Sequence, residues 1–127
     1  HHSPNPGKIF DEIYEYMDEN SVLKVMLYAK DSWKSYMIEA GYDQPEAQYG
    51  CPIANTYTKQ EITDLLSGFE ITSIDQNHIF PYQIEPYKRG KFIKQPWFEA
   101  MPDEVFNVLK KNLGWHLLIT ARRVKNA

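Results

Sequence analysis

Ten residues near the end of the chain, Gly114 to Arg123 (Gly-Trp-His-Leu-Leu-Ile-Thr-Ala-Arg-Arg), constrain the fold most. The run is short, apolar through its middle, and carries neither a helix-starting cap nor a proline. Apolar residues at consecutive positions, and so on both sides of a pleated strand, read as a strand covered on both faces. Two further runs suit neighbours for it. Ser21 to Tyr28 is also apolar on both faces, whereas Gly68 to Ile79 alternates as an edge strand does. The expected architecture is α/β, three strands with the last one central and helices wrapped around them.

Helix signals fill the intervals. Ile9, Phe10, Ile13, Tyr16 and Met17 form one apolar stripe over Lys8 to Glu19, opposite an acidic face. Asp31 or Ser32 suits the cap of a helix from Trp33 to Ala40, with Gly41 as its stop. Thr58-Lys59-Gln60-Glu61 has the spacing of a capping box, opening a helix to Leu66. Pro102 precedes a helix to Leu113 whose first turn is acidic and whose last turn carries Lys110 and Lys111, the order that the helix dipole favours. His1 to Gly7 and Tyr42 to Ala54 read as loops. Phe80 to Pro102, with four prolines and six aromatic residues, reads as a long irregular segment with a task or short helices of its own. The 127 residues suit one domain, and no repeat or linker divides them.

Composition excludes several classes of function. A net charge of −3 gives no general attraction to nucleic acid or anionic membrane. No apolar stretch approaches the roughly 20 residues of a membrane helix, and none reads as a signal peptide. The single cysteine, Cys51, has no partner for an internal disulfide and fits a reducing, cytoplasmic setting. Four histidines and one cysteine show no metal-ligand spacing, so no metal site is expected. Aromatic residues make up 14% of the chain, which suggests a large mixed core or an aromatic-lined pocket. The first residue is His1 and the first methionine is Met17, as expected of a processed chain, an excised domain or a truncated reading frame.

Several segments, in order, resemble class I S-adenosylmethionine-dependent methyltransferases. His1-His2-Ser3-Pro4-Asn5-Pro6 before an amphipathic helix resembles the "HH-[ST]-P-[DN]-P" segment that follows the fourth strand in many small-molecule methyltransferases. Val25 to Trp33, Glu46 to Pro52, Tyr57-Thr58, His78 to Tyr82 with Ile84 and Tyr87, and Gly114 to Leu118 are similar to one bacterial branch. The resemblance spans nearly the whole chain but covers only the second half of the family's domain. The Gly-rich turn that holds the cofactor there is absent, the six glycines being scattered. The fold so implied is a partial Rossmann-like sheet of about three strands in order 5-7-6, the last antiparallel and central, with helices on both faces. Residues 1–127 would form one carboxy-terminal half-domain.

The resemblance implies in-line attack of an acceptor on a sulfonium methyl, with His2, His78 and Tyr82 as catalytic candidates. Tyr57, Phe80 and Tyr87 are the candidates for binding the small-molecule acceptor, and His1 and His2 for lying beside the cofactor. S-adenosylmethionine belongs to the intact enzyme and is not expected to bind this chain alone, which should be inactive. His1-His2 also suits a tag remnant, and His78, Tyr82 and Tyr87 also suit a satisfied histidine among packing aromatics. Trp33, Trp97, Phe98 and Trp115 fit core better than site, and His116 fits a structural role within its strand. Without a fourth strand, Ser21 to Tyr28 would leave a bare edge, inviting a second copy to form a homodimer. The alternative is a stand-alone, non-catalytic module that self-associates or binds a partner through Phe80 to Phe98.

Overall fold

The computed structural model describes residues 3–42, 44 and 55–124. The elements in chain order are α1 (Pro6–Tyr16), β1 (Val22–Ala29), α2 (Trp33–Glu39), β2 (Thr56–Tyr57), α3 (Lys59–Leu65), β3 (Phe69–Asn77), α4 (Ile84–Lys88), α5 (Pro96–Glu99), α6 (Asp103–Leu113) and β4 (His116–Arg123). The sheet order is β2-β1-β4-β3. As expected, the last strand is central: β4 runs antiparallel to β1 on one side and to β3 on the other.

The helix starts follow side-chain chemistry. Asn5 accepts the Lys8 amide through Oδ1 with Pro6 in the first turn, so α1 begins inside the stretch that its prolines suggested was loop. It also ends earlier than expected. Asp18 accepts from the Asn20 amide and the Ser21 hydroxyl, and this local turn competes with helix. Ser32 caps α2, accepting from the Ser35 amide and donating to the Ala29 carbonyl. The capping box at Thr58 and Glu61 is present in both directions.

The core lies on one face of the sheet. Leu27 and Ala29 of β1, Phe69 of β3, and Leu117, Ile119 and Ala121 of β4 bury against Phe10 and Met17 from the α1 segment and Ile62 and Leu66 from the α3 segment. The opposite face corrects the expectation of cover on both sides. Val22 is 48% exposed and Leu118 43%, and Lys24 and Arg122 are exposed beside them. The strands therefore alternate, buried then open, over most of their length, despite being apolar at both kinds of position.

The fourth strand is a further correction. β2 pairs parallel with the end of β1, Tyr28 opposite Thr56 and Ala29 opposite Tyr57. It covers only that end. The Ala29 amide donates to Trp115 in the central-strand segment, and the Lys30 amide donates the other way, to Tyr57. By strand alternation the amides of Val22, Lys24 and Met26 face the outer edge, where no partner strand lies among the described residues. Arg123 ends β4, as the bounds of the expected strand have it. Its guanidinium donates to the Met17 carbonyl and lies 4.4 Å from the Tyr14 ring centroid.

Candidate functional site

The residues that build the site meet where β3, β4 and the β1–α2 connection end together. β3 stops at Asn77 because His78 takes the left-handed backbone region, φ 78°. The His78 carbonyl accepts the Trp115 amide at 2.7 Å. Between these segments sits Gly114, where a Cβ would lie 2.3 Å from the Asn77 carbonyl carbon and 2.5 Å from the Lys110 oxygen. Only glycine allows that approach. Gln76, buried in β3, donates to the Asp31 carbonyl at 3.0 Å and to the Gly114 carbonyl at 2.8 Å. One amide group thus ties the α2 connection to the turn that presents Trp115.

A cavity of about 260 Å³ opens beside this knot. Trp33 and Lys34 come from α2, His78, Ile79 and Phe80 from the segment after β3, Tyr87 from α4 and Phe92 from just beyond it. Trp115 and Gln44 complete the lining. Tyr28 stacks on Trp115 at 4.4 Å between centroids, and His116 stacks on His78 at 4.5 Å. Lys34 is only 8% exposed, and its ammonium lies 4.8 Å from the Trp115 ring centroid, a cation–π contact. The Trp115 indole nitrogen is buried and has no hydrogen-bond partner among the described residues. Mostly aromatic walls with a few polar groups are the usual make-up of a small-molecule pocket.

The sequence candidates divide. His78, Phe80 and Tyr87 line this cavity together. Tyr82 stands one ring behind, packed edge-on against Phe80 and Phe92. Tyr57 is buried in a separate recess with Thr58, Lys59 and Asn112. Burial, then the Glu61 carboxylate, hold its phenol above the ordinary tyrosine range, and Asn55 opposes them. His1, His2 and Cys51 lie outside the described residues, as does Glu46 to Pro52. Of the residues read as core, Phe98 is buried between Trp33 and Phe106. Trp115 is buried as expected and also lines the cavity, half-buried Trp33 lines it too, and Trp97 is 45% exposed. Lys34 and Gln44 gave no sequence signal beyond lying near Trp33; a lysine inside a helix ordinarily reads as solvated.

No protein-family model matches the chain, and no curated protein does. Among the described residues no group of histidine, cysteine and acidic side chains could hold a metal, and no helix is long and apolar enough to cross a membrane.

Proposed function

We propose that the chain is the carboxy-terminal portion of a class I S-adenosylmethionine-dependent methyltransferase acting on a small-molecule acceptor. One observation carries this reading: β4 is central and antiparallel between β1 and β3, while the outer edge of β1 from Val22 to Leu27 lacks a partner strand among the described residues. In the family that the sequence resembles, β1, β4 and β3 would be the fifth, seventh and sixth strands, and the fourth would occupy that edge. The exposed Val22 and Leu118 on the unpacked sheet face fit contact with a missing half-domain.

The cavity is then the acceptor side of the site. S-adenosylmethionine brings an already activated methyl group, so the protein's work is to position the acceptor and remove its proton. His78, at the cavity wall, is the base candidate within the described residues. Phe80 and Tyr87 shape the pocket and Tyr82 supports them. The chain alone lacks the Gly-rich turn, so it neither binds the cofactor nor turns over. We assign it to the cytoplasm, in keeping with its single cysteine.

Calorimetry tests the reading. The chain extended by the in-frame residues that precede it in its gene binds S-adenosylmethionine, and the chain alone does not. Binding by the chain alone, or none by the extended protein, contradicts it. The same open edge supports a second reading, a self-associating module whose copies pair through β1.

A further inference from the structure

We propose that residues 87–94 form a tip that docks on an anionic lipid surface. This part of the chain lies outside the sheet, so the tip stands with or without the methyltransferase reading.

The segment is built to project. The Gln83 amide donates to the Ile93 carbonyl at 2.7 Å, the Gln95 amide donates to the Pro81 carbonyl at 2.8 Å, and Tyr82 pairs antiparallel with Lys94. These bonds close the base of an excursion that holds α4 and turns at Gly90, φ 78°. α4 has no buried residue, and all eight positions of 87–94 are exposed. Lys88, Arg89, Lys91 and Lys94 put four positive charges within seven positions, and the only acidic residue in 76–98 is Glu85. Glu85 is paired with Lys88 at 3.3 Å, which leaves Arg89, Lys91 and Lys94 with no ion pair among the described residues. Beside them stand Phe92, 67% exposed, and Ile93, 47%. Tyr82 and Tyr87 hold the Phe92 ring edge-on, at 5.3 and 6.0 Å between centroids. Little side-chain freedom is then left to lose on insertion.

Cations around an apolar tip match a surface with negative headgroups outside and hydrocarbon just beneath. A projecting tip does not enclose a small ligand, which needs concave walls. Ile93 has no ring face for a nucleobase, so acyl chains explain the apolar half of the tip better than stacking does. The whole-chain charge of −3 does not oppose this, because salt confines the field of each patch to about 8 Å.

The test is co-sedimentation of the chain with vesicles of phosphatidylcholine alone or with about one-third phosphatidylglycerol, in about 0.1 M salt. The chain binds the mixed vesicles and not the neutral ones. Arg89→Glu with Lys91→Glu weakens that binding about 25-fold or more, at about fivefold for each basic residue lost from the surface. Phe92→Ser weakens it about fivefold or more with unchanged salt dependence, because the apolar contact is not screened. Lys8→Glu with Lys111→Glu, an equal change of net charge at exposed positions outside the tip, weakens it far less. Equal binding to both kinds of vesicle, no binding to the mixed vesicles up to about 1 mM lipid, or an equal loss in the two double variants overturns the proposal. Tighter binding to single-stranded oligothymidylate, lost on Arg89→Glu with Lys91→Glu, assigns the tip to nucleic acid and overturns it too. The wild-type comparison of the two vesicles decides without any variant.

Discussion

Single residues hold the site's geometry through backbone contacts that few substitutions can reproduce. Gly114→Ala places a methyl group against the Asn77 and Lys110 carbonyls. Overpacking against backbone costs about 1–3 kcal/mol or more, seen as a lower midpoint in denaturant. Gln76→Leu removes the donor shared by two carbonyls and costs about 1–3 kcal/mol; it also shifts the Trp115 indole resonance, which a purely distant loss of stability would not. Glu61 accepts from Lys30 at 2.7 Å and from the Thr58 amide, and these hold its carboxyl below the ordinary glutamate range, Lys30 first. A depressed folded-state pKa means that the stabilisation is complete above the unfolded value of 4.5. It is lost as pH falls from there through the folded value. Thermal melts at descending pH show this as a steeper loss in the wild type than in Glu61→Gln. The capping box was legible because its spacing is local. Gln76 was not, because its partners lie 45 and 38 positions away in the chain.

At the scale of elements, sequence periodicity found the longer helices and the three long strands but missed β2 and misjudged what covers the strands. The run from Gly114 to Arg123 was rightly read as the central strand, because a strand must pair on both edges to bury so apolar a segment. Its face exposure was misread, since apolar character at Leu118 says nothing about whether a partner layer is present in the chain. β2 escaped notice because a two-residue strand has no period. Its short reach leaves the edge that supports self-association. We expect the chain to sediment as a dimer at micromolar concentration. Lys24→Pro, at an amide that faces the outer edge, should give a folded monomer, because proline is tolerated on an edge where it withdraws no internal hydrogen bond. A wild-type monomer, or a dimer unaffected by this change, would remove the second-copy pairing.

The whole molecule sorts its aromatic residues into two populations that composition could not separate. Phe10, Phe69 and Tyr57 join the aliphatic core beneath the sheet. Trp33, Phe80, Tyr87, Phe92 and Trp115 gather from four parts of the chain around one cavity. His78, Phe80 and Tyr87 were legible as a group because they follow one another after a strand end. Lys34 and Trp115 join them only through tertiary packing. The central claim remains that this sheet is one part of a larger one, and amide exchange along β1 addresses it directly. In the chain extended by its preceding in-frame residues, the outward amides of Val22, Lys24 and Met26 should gain protection of about tenfold or more over Lys24→Pro-type monomer controls, reading Val22 and Met26 in the control. Equal, rapid exchange of those amides in both proteins, with the β4 amides protected throughout, would contradict it.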